Sequence, residues 1–269
     1  MTKIINIVVN GANGRMGKEL ISSISENPET TKVVGAVYRT TKPNPLINND
    51  EQHNIEYGTD LDFIVKITKA DLVIDFTSRE GAMYASGVCQ KYSIDYITGS
   101  SGLSEDDISE LRTSAEKSDT GIFVGPNFSL GAIMIQYLST LAGKHFDYAD
   151  IIEMHHAGKL DAPSGSALAL ASDMIDARQG RRFTETHTEE INLKDARGGN
   201  FKGIGLHSIR LPGVMARQEI ILGGQGETIS LIHNTTNRNS YMPGILKAAE
   251  FIVQHKGFYL GLGSILDLS

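Results

Sequence analysis

The sequence predicts an α/β fold: a doubly wound parallel sheet in the first half and a second, α+β domain of mixed sheet after it. Three observations carry this. A β-branched run, Ile4 to Val9, leads into a glycine loop and then a helical stretch. Short apolar strands then alternate with helix-length segments as far as Val124. From Ile151 onward that alternation stops, and the apolar stretches become strand-like and closely spaced.

Each element follows from its residues. Ile4 to Val9 reads as a buried parallel strand, Gly11 to Gly17 as the turn, Lys18 to Ser25 as a helix ended near Pro28, and Val33 to Val37 as the second strand. Asp71 to Phe76 is a further strand, followed by a helix over Gly81 to Tyr92 and a strand over Ser93 to Thr98. Leu103 to Lys117 carries helical spacing, with Glu105, Asp106 and Asp107 complementing the dipole of its first turn. Gly121 to Val124 is one more short strand. In the second half, Ile151 to Met154, His207 to Leu211, Glu219 to Leu222 and Glu227 to His233 read as strands. Leu168 to Arg178 and Tyr241 to Gln254 read as helices. The polar, glycine-bearing stretch 181–205 reads as irregular and mobile. A nucleotide-binding layer is therefore expected over roughly the first half of the chain, and a different architecture after it.

Composition narrows the function. A chain of 269 residues, 40% hydrophobic, can bury a sizeable core. Its formal net charge of −7 disfavours general nucleic-acid binding, which needs a basic face. The single cysteine, Cys89, excludes an intramolecular disulfide framework and fits a reducing, cytoplasmic setting. The short apolar run before Gly11 is neither a signal peptide nor a span, and no later run reaches membrane length, so no membrane partner is expected.

The loop Gly11-Ala12-Asn13-Gly14-Arg15-Met16-Gly17 has the spacing G-x-x-G-x-x-G, a variant of the Rossmann fingerprint. Its glycines permit a tight turn and close approach to a pyrophosphate, and the helix after it offers free N–H groups. The same residues would also serve a ligand-free turn. After the second strand come Tyr38 and Arg39, with Lys42 nearby and no carboxylate to take a ribose 2′-hydroxyl. Arg39 is suited to a 2′-phosphate, so NADPH is expected to serve at least as well as NADH. The alternative is that Arg39 is simply a solvated charge.

The densest chemistry lies in Glu153-Met-His155-His156-Ala-Gly-Lys159-Leu-Asp161-Ala-Pro163-Ser164-Gly165-Ser166-Ala167. Two imidazoles and an ammonium suit proton transfer beside an anionic substrate. Pro163, placed for a first helical turn, with Ser164, Gly165 and Ser166 behind it, makes a carboxylate-binding helix start. Adjacent histidines are also metal ligands in some proteins. These point in different directions along a strand, with no partner at familiar ligand spacing, so no metal is expected.

These motifs carry a resemblance to the dihydrodipicolinate reductase family that runs almost end to end. It rests on Val9 to Gly17, on Asp75-Phe76-Thr77, on Gly99-Ser100-Ser101-Gly102, on Asn127-Phe128-Ser129-Leu130-Gly131 and above all on Glu153 to Ala167. Serines stand at 100, 101 and 166 where the family usually has threonine, and Tyr38 stands where many members have an acidic residue. The resemblance implies reduction of 4-hydroxy-tetrahydrodipicolinate, a small cyclic dicarboxylate, to tetrahydrodipicolinate by NADPH or NADH, on the route to diaminopimelate and lysine. It implies nucleotide contacts at Gly11, Ala12, Asn13, Gly14, Arg15, Met16, Arg39, Gly99, Ser100, Ser101, Gly125, Pro126, Asn127 and Phe128. His155 and Lys159 take the catalytic roles, with His156, Lys159, Gly165 and Ser166 as substrate contacts. It further implies a dinucleotide-binding domain of residues 1–126 with 237–269, to which the C-terminal helix returns, and a substrate-binding and oligomerisation domain of residues 127–236 whose sheet builds a homotetramer.

Two rivals belong to other classes. A nucleotide sensor without turnover would lose catalytic groups, whereas His155, His156 and Lys159 are all present. A semialdehyde dehydrogenase needs a cysteine nucleophile, whereas Cys89 lies within an expected helix and reads as a buried hydrophobe.

Overall fold

The computed structural model describes residues 3–39 and 55–268. It divides into two compact units, one running to Leu130 and resumed from Arg238, the other spanning Gly131–Asn237.

The first unit is built on a parallel sheet of seven strands. In chain order these are β1 (Ile5–Asn10), β2 (Thr31–Val37), β3 (Glu56–Gly58), β4 (Leu72–Asp75), β5 (Asp95–Thr98), β6 (Gly121–Val124) and β12 (Gly257–Leu260). Their spatial order is β12-β6-β5-β4-β1-β2-β3. The chain moves outward from β1 through β2 to β3, then returns to the other side of β1 and continues through β4. That reversal opens a crevice at the carboxyl ends of β1 and β4, where ligands of doubly wound sheets bind. Strands buried on both faces must be apolar throughout, and Ile7, Val8, Val9, Leu72, Val73 and Ile74 are all fully buried. Around the sheet lie α1 (Arg15–Ser25), α2 (Leu61–Thr68), α3 (Arg79–Tyr92), α4 (Glu105–Lys117) and α7 (Met242–Ile252).

Differences from the expected elements have local causes. Helix α1 begins at Arg15 rather than Lys18, with Gly14 as its N-cap, so Gly17 lies inside the helix. A Cβ on Gly17 would collide with the carbonyl oxygen of Gly11 and sit 2.8 Å from the Cα of Ala12. This glycine is there for close packing of helix on loop, a role that reads from sequence like a turn. Helix α4 is closed by a capping box: the Ser104 hydroxyl accepts from the Asp107 N–H, while the Asp107 carboxylate accepts from the Ser104 N–H. Lys42 lies outside the described residues.

The second unit holds a five-stranded mixed sheet in the order β11-β10-β7-β9-β8. Its strands are β7 (Tyr148–His155), β8 (Gly199–Phe201), β9 (Ile204–Arg210), β10 (Ala216–Gly224) and β11 (Glu227–Thr235). The stretch expected to be irregular therefore contains β8 and the start of β9. Central β7 runs parallel to β9 and antiparallel to β10. Helices α5 (Leu130–Gly143) and α6 (Gly165–Ala177) belong to the same unit. One core gathers Ile151, Leu170, Met174, Ile204, Ile220 and Leu222. Along β7, Ala149, Ile151 and Glu153 alternate as buried positions, so a carboxylate continues the apolar face. Pro163, expected in the first turn of α6, lies before its N-cap Ser164.

Gly17→Ala is expected to destabilise the first unit by about 1–3 kcal/mol, because helix and loop must separate to admit a methyl group. Urea unfolding checks this. A stability equal to that of the parent would show that the loop has slack.

Candidate active site

The crevice at the β1/β4 reversal is a cleft of about 960 Å³ lined by Asn10, Gly11, Asn13, Gly14, Arg39 and Thr77, among others. Gly11 adopts φ +87°, and its Cβ would lie 2.7 Å from the carbonyl oxygen of Phe76, so only glycine fits. Gly14 caps α1 without a side-chain hydrogen bond. A bare glycine cap keeps bulk away from a helix N-terminus, as a bound phosphate requires. Of the expected nucleotide residues, Gly11, Asn13, Gly14 and Arg39 line this cleft; Ala12 is wholly buried beneath it.

Gly99, Ser100 and Ser101 follow β5, and Gly125 to Phe128 follow β6. What ties the first of these loops to the cleft is Asp75, which ends β4 and is fully buried. It accepts from Asn10 Nδ2 (2.7 Å), Thr77 Oγ1 (2.7 Å), Thr98 Oγ1 (3.1 Å) and Ser100 Oγ (2.6 Å). Ser100 Oγ in turn accepts from the Thr77 N–H at 2.8 Å. Burial pushes the Asp75 carboxyl above its ordinary range, and the four neutral donors only partly offset it. Phe128 packs against Phe76 edge-on, with ring centroids 5.9 Å apart. A Cβ on Gly125 or Gly99 would strike this pair.

Sequence reasoning passed over several residues of the cleft: Thr59, Asp60, Ser78, Glu80 and Tyr84. Asp60 carries the clearest missed signal, an N-cap before an apolar run; its carboxylate accepts from the Phe63 N–H.

In the second unit, His155 ends β7, and His156 and Lys159 follow in the loop leading to α6. The Lys159 ammonium lies 2.7 Å from Asp161 Oδ1, while Asp161 Oδ2 accepts from the Gly165 N–H at 3.2 Å. Together with its own backbone, these donors, Lys159 foremost, hold the Asp161 carboxyl at about 2. Asp161 thus sits on the ammonium and on the helix start expected to receive a carboxylate. Ser164 caps α6 through the Ala167 N–H, and Ser166 Oγ accepts from Gln218 Nε2 at 3.0 Å. Behind the loop, Glu153 and Arg210 pair through both guanidinium nitrogens, and Glu153 also meets His155 Nδ1 at 2.5 Å. Glu153 was visible as the first residue of the quoted motif; Arg210, 57 residues later, left no local signal.

Cys89 is 2% exposed, and burial pushes its thiol well above the ordinary range. A nucleophile needs the opposite, which removes the semialdehyde dehydrogenase reading. Among the described residues, no group of three His, Cys, Asp or Glu side chains is placed to hold a metal, and no helix is long and apolar enough to cross a membrane.

The fold and cleft define a dinucleotide-binding oxidoreductase with a second unit bearing a histidine–lysine cluster. Residues 5–128 match the family model described as dihydrodipicolinate reductase, N-terminus, and residues 130–266 match that of its C-terminus. The chain is 39% identical to the 4-hydroxy-tetrahydrodipicolinate reductase of Dehalococcoides mccartyi, over 98% of this chain and 99% of that one. It is 36% identical to the enzyme of the same name from Moorella thermoacetica, over 99% and 100%. A dipicolinate-bound dihydrodipicolinate reductase from Paenisporosarcina sp. TG-14 superposes with a TM-score of 0.87 at 29% identity, covering 98% of this chain and all of that one. The chain belongs to the dihydrodipicolinate reductase family. Its expected fold class holds, and the cofactor of its first unit is a pyridine nucleotide.

Asp75→Ala strips the shared acceptor from four donors and is expected to cost on the order of 3 kcal/mol. It should also weaken nucleotide binding by loosening the loop after β5. Chemical denaturation and cofactor titration together check this; unchanged cofactor affinity would show that the loop orders itself.

Proposed function

We propose that this protein reduces 4-hydroxy-tetrahydrodipicolinate to tetrahydrodipicolinate with NADPH or NADH, in the biosynthesis of diaminopimelate and lysine. The observation that carries this reading is the meeting of the Lys159 ammonium and the Gly165 N–H on one carboxylate, that of Asp161, in the loop that follows His155, within a family whose relatives bear that enzyme name. An ammonium and a helix start are the donors a ring carboxylate needs, and a neighbouring imidazole can move a proton.

The nucleotide fits its proposed place: the cradle at Gly11, Gly14 and Gly17 has no room for side chains. When bound, it supplies the hydride. The chain supplies the rest. Lys159, with the Gly165 N–H and the Ser166 hydroxyl, orients one carboxylate, and His156 provides a further contact. The 4-hydroxyl leaves as water to give a conjugated imine, and positive charge from Lys159 stabilises the electron density that moves toward the ring nitrogen as hydride adds. His155 exchanges the proton that completes the reduction, with Lys159 as proton donor. Gly11 to Met16, Arg39, Gly99 to Ser101 and Gly125 to Phe128 hold the nucleotide. Asp60 is engaged in capping α2, which leaves Arg39 to meet a 2′-phosphate and supports use of NADPH at least as readily as NADH. A homotetramer formed through the second sheet and a cytoplasmic location complete the proposal.

The test is a coupled assay. Pyruvate and aspartate semialdehyde are condensed by the preceding synthase, and nucleotide absorbance is followed on adding this protein. Oxidation is expected with both cofactors and at least as fast with NADPH. Lys159→Ala should lose two or more orders of magnitude in turnover with nucleotide affinity near that of the parent. Absence of oxidation with intact nucleotide binding would move the assignment to a nucleotide sensor or to a reductase of another cyclic imine.

Asp161 adds a second expectation. Its carboxylate occupies the donors assigned to substrate, and at about 2 it stays ionised throughout the working range. Substrate must displace it. Asp161→Asn is therefore expected to tighten binding of pyridine-2,6-dicarboxylate about two- to fivefold, as for release of a half-exposed ion pair. Calorimetry would show it; weaker binding would mean that Asp161 organises the loop instead.

A further inference from the structure

Glu153 is 1% exposed, a cost no lone carboxylate bears without compensation. The alternation of β7 turns it to the packed face, and residues 153 and 155 share that face. On the neighbouring strand Ser208 is the register partner of Glu153, and Arg210 that of His155. Four donors therefore converge on Glu153: Arg210 Nη1 at 2.9 Å and Nη2 at 2.7 Å, His155 Nδ1 at 2.5 Å, and the Ser164 N–H at 3.2 Å. Burial alone would raise the Glu153 carboxyl. The Arg210 fork, the Ser208 hydroxyl and His155 outweigh it and hold the group below the usual carboxylate range. Glu153 is thus an acceptor only, and the His155 Nδ1 facing it must carry the hydrogen.

Arg210 reaches further. Its Nη2 also donates to the Asp161 carbonyl at 2.7 Å, so one cation pins both the carboxylate beneath His155 and the loop that carries Lys159. Arg210 has no separate task in the proposed reaction. Its contacts all run to this strand, its neighbour or the loop.

We infer that Glu153, held by Arg210, is a positioning residue that fixes His155 in the Nδ1–H tautomer with Nε2 presented for proton exchange. The inference rests on the role proposed for His155. A carboxylate on Nδ1 sets which nitrogen works and holds the ring plane. The step balances simply: Nε2–H of the imidazolium gives its proton to the reduced ring anion, Nδ1–H stays on Glu153, and water restores the lost proton.

Two measurements test this. In protein labelled with ¹⁵N-histidine, the His155 ring, assigned by its loss in His155→Gln, is expected to show Nδ1 protonated and Nε2 bare at alkaline pH. An Nε2–H tautomer would overturn the inference, and this readout needs neither a variant of Glu153 nor turnover. Kinetically, Glu153→Gln should lower kcat on the order of 10²-fold, with pyridine-2,6-dicarboxylate and NADPH affinities within about threefold of the parent. In a His155→Gln background the same change should add less than about twofold, because residues acting as a unit are not additive. A full additional loss would mean that Glu153 serves the fold alone. If Glu153→Gln fails to fold, the tautomer measurement decides. Turnover by the parent with the wrong tautomer defeats only this inference, whereas no turnover with the expected tautomer defeats only the reductase reading.

Discussion

A carboxylate buried at the end of a strand must collect donors, and this protein uses that demand twice. Asp75 ends β4 and Glu153 lies two residues from the end of β7, each after buried apolar residues of its own strand. Each draws a loop of the site onto the sheet. Asp75 gathers Asn10, Thr77, Thr98 and Ser100, and so fixes the turns after β1, β4 and β5 with one group. Glu153 gathers Arg210, His155 and the Ser164 N–H, and fixes the strand end against the start of α6. Because a half-satisfied buried network costs more than an apolar core, these arrangements tolerate few alternatives. The loops they hold inherit that rigidity.

The two hubs differ in electrical character. Asp75 faces only neutral donors, so burial prevails and its carboxyl titrates above the ordinary range. Glu153 faces a guanidinium, and its carboxyl titrates below. The two neighbourhoods differ because one contains Arg210 and the other contains hydroxyls and an amide.

Much of this was legible from sequence, for reasons that also explain the gaps. Strands β1, β2, β4, β5 and β6 announce themselves as apolar runs because they are buried on both faces. The glycine loop and the His155 to Ser166 cluster are contiguous, so their chemistry is visible in one window. Contacts across long intervals are not. Arg210 reaches Glu153 from a different strand, and Lys256 pairs with Asp95 from 161 residues away. Strand β12 is four residues long and follows a helix, and β3 has only three residues, too few for any period to register. Helix α5, with the run Leu130 to Gly143 rich in apolar residues, lacks the polar stripe that marks a surface helix. Gly17 looked like part of a turn because a glycine inserted for packing and one inserted for bending are the same letter.

The dianion proposed as substrate poses a last physical question for an acidic chain. The formal net charge of −7 repels such a ligand at long range. At physiological ionic strength that repulsion fades beyond about 8 Å, so recognition falls to donors in direct contact. Those are what the proposed site offers: one ammonium, the Gly165 N–H at a helix start and a hydroxyl, on a loop that the Glu153 and Arg210 pair holds at Asp161 and Ser164. Asp161 pairs with the ammonium, so a passing anion meets a Lys159 charge that is already compensated. Only a ligand able to replace both of that carboxylate's contacts at once gains from entering. A ring carboxylate meets this requirement, since its two oxygens can take the ammonium and the N–H together, whereas a single oxygen leaves one of them behind. The discrimination is thereby placed in short-range geometry, where the net charge of the chain has little influence.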